Sequence, residues 1–211
     1  MLIDLHIHTY PKSKCSNMSP EECIEKAIEI GLDGLVFTEH NICWQKSELD
    51  SLNKKYDILI LGGIEITTIE GDILVYNHFF DPITKLPKTQ EIRDILGDSK
   101  DSFMAIAHPF REFLVVGIGD LGLDVNEIMG RPIFNILDGI EIFNGLVSRK
   151  ANRLAKTICN KKNLICIGGS DAHELFQIGK YVAEFENEIK NEKDLVNELF
   201  KRNFQIKHFK K

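Results

Sequence analysis

The sequence predicts an α/β protein built from βα units wound into a parallel sheet or barrel. Short apolar runs alternate with helical patterns along the chain, the signature of βα units. Six of the seven histidines fall at or just after those apolar runs. Chemistry in such folds collects at the C-terminal ends of the strands.

"MLIDLHI" reads as the first strand. "SPEECIEKAIEIG" reads as a helix with full punctuation: Ser19 caps, Pro20 takes the first turn, Glu22 completes a capping box and Gly31 lies just past the end. "DGLVFT" supplies a second strand, followed by a helix from about Gln45 to Lys54. "DILILGGIEIT" and "DILVYNHFF" supply two more strands. A loop with Pro82 and Pro87 leads to a short helix at "TQEIRDIL" and a strand "FMAIA" ending at His108-Pro109. Residues 112 to 135 read as Gly-rich loop with helical turns. "DGIEIF", "LICIGG" and "KYVAEFE" read as strands, with "SRKANRLAKTICNKK" as the helix between the first two. "EKDLVNELFKRN" closes the chain as a helix, and the basic tail around His208 reads as a solvated face.

The length of 211 residues fits one domain with a sizeable core, spanning 1–211. A net charge of −6 argues against a generic nucleic-acid coat, which would be basic, but not against a nucleic-acid substrate held locally by metals. No apolar run reaches membrane-spanning length, and the N-terminus lacks the layout of a signal peptide. The five cysteines form no C-x-x-C pair and are odd in number, so no disulfide framework is expected and a cytoplasmic location is. Cys159 and Cys166 read as core filler, whereas Cys15 sits where chemistry would want it.

His6 and His8 stand two apart on a strand of period two, so both should face one way, opposite Ile3, Leu5 and Ile7. Two neutral imidazoles on one face form a pincer for a metal ion. Other strands end with Glu39 and His40, with Glu65, with His108 and Arg111, and with Asp171 and His173, and a further stretch carries Asp72 and His78. One ion needs only three or four protein ligands. This surplus of nitrogen and carboxylate donors points to more than one ion, with a carboxylate shared between two.

The ordered motifs "DLHIHT", "FTEHN", "GGIEIT", "AHPFR" and "GSDAH", spanning residues 4 to 173, resemble the PHP family, named for polymerase and histidinol phosphatase. The resemblance implies a distorted (β/α)7 TIM-like barrel. It also implies two to three divalent ions, commonly Mn2+, Zn2+ or Fe2+, and hydrolysis of phosphoesters. Carried over residue by residue, His6, His8, Glu65 and Asp171 would hold one metal. Glu65 would bridge to a second that also uses His108, and His40 and His173 would hold a third.

Two departures stand out. Relatives often place an aspartate or histidine after the first motif, where counting back from the helix start puts Cys15; as a thiolate it would favour zinc or iron, and otherwise it is a bystander. Many relatives also carry a histidine in the segment that here supplies Asp72; Asp72 fits the register, and His78 is the fallback.

The chemistry expected is attack on phosphorus by a hydroxide formed from a metal-activated water. His173 or His40 could relay a proton if the third site is empty. Arg111 is the candidate phosphate clamp, with a surface salt bridge as its alternative. Asn144 and Arg149 are weaker candidates, Asn144 serving otherwise as a helix cap, and Glu141 is a further inward polar residue. The substrates expected are small phosphorylated molecules or short single-stranded nucleic acid. Two rival readings are an amidohydrolase-type C–N hydrolase and a metal-stabilised non-catalytic module.

Overall fold

The computed structural model describes residues 1–111 and 125–209. Among the described residues nine strands form one sheet in the order β7-β6-β5-β4-β3-β2-β1-β8-β9, curled into a nearly closed barrel. The strands are β1 (Leu2–Ile7), β2 (Gly34–Phe37), β3 (Leu59–Thr68), β4 (Gly71–Tyr76), β5 (Phe103–Ile106), β6 (Gly139–Asn144), β7 (Ile165–Gly169), β8 (Tyr181–Phe185) and β9 (Phe204–His208). The helices are α1 (Pro20–Ile30), α2 (Lys46–Lys55), α3 (Thr89–Leu96), α4 (Val125–Met129), α5 (Arg149–Lys162) and α6 (Glu192–Lys201).

Local signals behave as expected at α1. The Ser19 hydroxyl accepts from Glu22 N–H, the Glu22 carboxylate accepts from Ser19 N–H, and Gly31 ends the helix in the left-handed region at φ 82°. Much of the expected loop between 112 and 135 lies outside the described residues; α4 and a short 3-10 turn at Pro132–Asn135 occupy the part that is described.

The sheet is mixed rather than wholly parallel. β1 to β3 are parallel, as are β5 to β7, but β4 runs antiparallel to both β3 and β5. Only two residues, Ile69 and Glu70, join β3 to β4, and a connection that short makes a hairpin and not a crossover. β8 pairs antiparallel with the start of β1. Beyond the end of β7, Asp171 N–H donates to His6 O at 2.8 Å and His8 N–H to Ala172 O at 3.0 Å, so this segment closes the barrel at its other mouth.

Three corrections to the expected elements follow. The basic tail is not merely a solvated face: β9 pairs with β8, with Phe204 and Ile206 half-buried and Gln205 and Lys207 exposed in alternation. Cys159 is buried in the core with Cys166 packed against it, as expected, but the two are also joined as a disulfide, which was not. Asn163, in the left-handed region at φ 54°, turns the end of α5 back onto β7 and brings the two Cα atoms to 6.1 Å. That pairing also removes the support the cysteine count gave to a reducing compartment.

The third concerns β1. Its pairing with β2 shifts register between Asp4 and Ile7. Ile3 and Leu5 consequently pack with Val36, Leu61, Tyr76 and Phe103, while Ile7 packs with Ile24, Ala27 and Phe37 beneath α1. Strict period-two alternation fails at that irregularity. The cluster holding Ile3 and Phe103 also takes Leu195, Val196 and Leu199 of α6, which covers the end where the parallel strands begin. The opposite mouth is left to the polar residues.

Candidate metal centre

Eight of the ten expected ligands meet at that mouth. Donor atoms lie within 4.8 Å of one another in four sets: His6, His8 and Glu65; His6, His108 and Asp171; Glu65, Asp72 and His108; and His8, His40 and His173. They come from β1, the exits of β2, β5 and β7, the middle of β3 and the start of β4.

The antiparallel direction of β4 brings Asp72, and not His78, to the mouth. Asp72 stands at the start of β4 opposite Thr67, so it reaches the mouth, whereas His78 lies past the strand's other end. His78 packs on the Phe80 ring at 4.5 Å and lines a separate cavity of about 490 Å3 with Trp44 and Phe79. Cys15 is likewise not brought in: it is exposed and belongs to none of the donor sets. Ser13 of the same loop turns inward instead, its Oγ accepting from His40 N–H at 3.1 Å and lying 3.3 Å from His8 Nδ1. His8 completes the set with His40 and His173 that Cys15 was expected to join.

Glu65 is the hub. Its Oε1 lies 2.9 Å from His108 Nε2. Its Oε2 lies 3.4, 3.2 and 3.1 Å from His6 Nε2, His8 Nε2 and His40 Nδ1, yet accepts no hydrogen bond among the described residues. A buried carboxylate oxygen without a partner is costly. The Nε2 atoms of His6 and His8 face each other at 3.0 Å, and Asp171 Oδ1 is 3.6 and 3.3 Å from them. Converging lone pairs with an orphaned carboxylate oxygen are what a divalent cation would satisfy, so the residues present fit the metals that the sequence implies.

Burial disfavours charge on His6, but Glu141, Glu65 and Asp171 outweigh it and hold the imidazole well above its usual range. His8 and His108 are also raised against burial, by Asp171 and Glu65 for His8 and by Glu65 for His108. Burial would raise Glu65 itself, yet the charge on His6 and the contacts of His108 and His40 hold it well below the carboxylate range. His173 goes the other way, lowered by burial and by His8.

The backbone is bent to present two donors: His108 has φ 25° and Asp171 φ 54°, values that non-glycine residues seldom adopt and that cluster at functional sites. Asp4, assigned no role from the sequence, braces the connection from β7 to β8 by accepting from Ser170 N–H and Gly179 N–H, each at 2.9 Å. Burial pushes its carboxyl up to about 6 despite those bonds. Glu39 turns away from the cluster to accept from Thr9 N–H and Trp44 Nε1–H.

Arg111 reaches the rim of the cluster, its Nη1 3.1 Å from Asp171 Oδ2 with the side chain 37% exposed. Asn144 and Glu141 are buried behind the donors, and Arg149 is exposed at the start of α5.

Residues 4–115 match the PHP domain and residues 149–204 the PHP-associated region. An uncharacterised protein of Methanocaldococcus jannaschii is 28% identical, the match covering 76% of this chain and 95% of that protein. Among solved structures, the fold is similar to a two-domain Bacteroides vulgatus protein containing a predicted PHP-like metal-dependent phosphoesterase (TM-score 0.73, 19% identity, 98% of this chain and 64% of that one). It is also similar to the lesion-specific endonuclease EndoQ of Pyrococcus furiosus (TM-score 0.60, 16% identity, 97% and 57%). A third likeness is to an amidohydrolase of Chromobacterium violaceum (TM-score 0.58, 16% identity, 99% and 98%). With the domain match covering more than half of its residues, this chain belongs to the PHP domain family.

Proposed function

We propose that this chain is a metal-dependent phosphoesterase, hydrolysing a phosphomonoester or phosphodiester, and that residues 1–211 act as one catalytic unit. The observation that carries the reading is the orphaned Oε2 of Glu65 at the meeting point of three imidazoles. His6, His8, Glu65 and Asp171 would hold one ion, Glu65, Asp72 and His108 a second, and His8, His40 and His173 the donors of a third. Divalent ions held there supply Lewis acidity toward a phosphoryl oxygen and acidify water near neutral pH.

The protein's own groups do the rest. Arg111, on the rim, offers a planar fork that matches two phosphate oxygens, its present partner being Asp171. His173, lowered by burial and by His8, would be the group to accept a proton if it carries no ion. On that bent backbone the side chains of His108 and Asp171 come within 3.8 Å of each other, Nε2 to Oδ2, so substrate would meet a preformed site.

The family and the activities for which the fold's neighbours are named favour phosphoester chemistry, with small phosphorylated molecules or short single-stranded nucleic acid as substrates. The full-length likeness to an amidohydrolase keeps C–N hydrolysis as the second reading. Assaying a phosphomonoester, a dinucleotide and a cyclic amide side by side, with Mn2+, Zn2+ or Fe2+ and with a chelator, separates the two. Chelator-sensitive release of phosphate or nucleotide is the expected result; turnover of the amide alone would overturn it.

A further inference from the structure

Glu141 belongs to none of the donor sets, yet its carboxylate touches the supports of three of them. It is fully enclosed on β6, 1% exposed. Its Oε1 lies 2.9 Å from His6 Nδ1. Its Oε2 accepts from His108 N–H at 2.8 Å and from Asn144 Nδ2–H at 2.9 Å. Asn144, on the same strand and also buried, donates from Nδ2 to Asp171 Oδ2 at 3.1 Å. Its amide orientation is fixed because Oδ1 accepts from Leu146 N–H at 2.8 Å. Asn152 of α5 then clamps the Asn144 backbone, accepting from its N–H and donating to its C=O, each at 3.1 Å.

We propose that Glu141 and Asn144 form a positioning pair for the metal centre: Glu141 fixes the tautomer of His6 and the bent backbone of His108, and Asn144 orients Asp171. The inference rests on the reading that this cluster holds divalent cations. Its logic is the donor inventory. An ionised carboxylate can only accept, so the proton of a neutral His6 sits on Nδ1 and the Nε2 lone pair points into the cluster. The same carboxylate holds the His108 N–H, at the residue whose φ of 25° needs an external constraint. Asn144 occupies one lone pair of Asp171 Oδ2 and leaves Oδ1, the atom nearest His6 and His8, for the cation.

Glu141→Gln tests this with almost no change in volume. If the Gln oxygen keeps the His108 and Asn144 bonds, its amide N–H2 faces His6 Nδ1. His6 must then carry its proton on Nε2 and loses the lone pair that would bind. If the amide is turned over, its N–H2 meets two donors instead. Either way a ligand support is lost, and the expected outcome is a 10–100-fold weaker Kd for Mn2+ or Zn2+ alone, measured calorimetrically on protein shown to be folded by circular dichroism. Asn144→Ala should weaken the same Kd several-fold, and it decides the matter if Glu141→Gln does not fold. A purely structural role would lower the unfolding midpoint and leave the Kd of the folded protein unchanged. Affinity within twofold of the unaltered protein, in Glu141→Gln or in Asn144→Ala where that variant decides, would overturn the proposal. Because the probe is the metal alone, a chain that cleaves no phosphoester but loses metal affinity on Glu141→Gln would sink the phosphoesterase reading and leave this inference standing.

Discussion

At the residue scale, the centre is a set of compromises that only a cation resolves fully. His6 and His8 bring their Nε2 atoms to 3.0 Å, and Glu65 Oε2 lies among three imidazoles without accepting a hydrogen bond. These candidate ligands were legible because strand-end histidines and carboxylates are chemically conspicuous. Glu141 was legible only as an inward polar residue, since its value lies in what it touches across the barrel. Arg111 carries its own test. Lysine keeps the charge but loses the bidentate fork, so Arg111→Lys should raise KM for a phosphoester about tenfold with kcat little changed, a cost of about 1.4 kcal/mol. If Arg111 serves only as the partner of Asp171, steady-state kinetics will show KM unchanged.

At the scale of elements, strand direction decides the second donor set. A parallel β4 would have carried His78 to the mouth; the antiparallel hairpin carries Asp72 there instead. No periodicity in "GDILVYNHFF" distinguishes the two directions. The two-residue connection from β3 is what could have revealed it. Asp72→Ala should therefore weaken the binding of at least one divalent ion by more than tenfold, while His78→Ala leaves every binding step unchanged in a calorimetric titration. The reverse pattern would mean that β4 has been assigned the wrong role. The helix α1 was readable to the residue because capping chemistry is local. β9 was missed because its alternation of Phe204 and Ile206 with exposed polar residues is masked by basic charge. The Cys159–Cys166 bridge was missed because it depends on how sharply Asn163 turns the chain.

On the scale of the whole molecule, α6 and the apolar strand starts close one end of the barrel, and polarity gathers at the other. Among the described residues no helix is long and apolar enough to cross a membrane. Concentrating buried imidazoles and carboxylates in one place gives the metal-free protein a defined pH response. His6, His8 and His108 are held above their usual range. Their contribution to stability is therefore fully present below the unfolded value of about 6.5 and is lost as pH rises through their folded values. Cations compete for the same lone pairs, so binding near neutral pH should release protons, and apparent affinity should increase with pH. Calorimetry in buffers of different ionisation enthalpy reads this directly. Proton uptake, or affinity independent of pH between about 6 and 8, would contradict it. A cation bound to the folded state alone should also raise the unfolding midpoint as its concentration exceeds Kd.

The most direct measurement is metal content per chain, by elemental analysis after loading with Mn2+, Zn2+ or Fe2+, for the unaltered protein and for His6→Ala combined with His8→Ala, alongside hydrolysis of a model phosphodiester. The unaltered chain should hold more than one ion and turn over substrate. The double variant should keep its circular dichroism spectrum, lose metal and lose hydrolysis together. Normal turnover by the double variant, or an unaltered chain that retains no divalent ion, would contradict a catalytic metal centre at this mouth of the barrel.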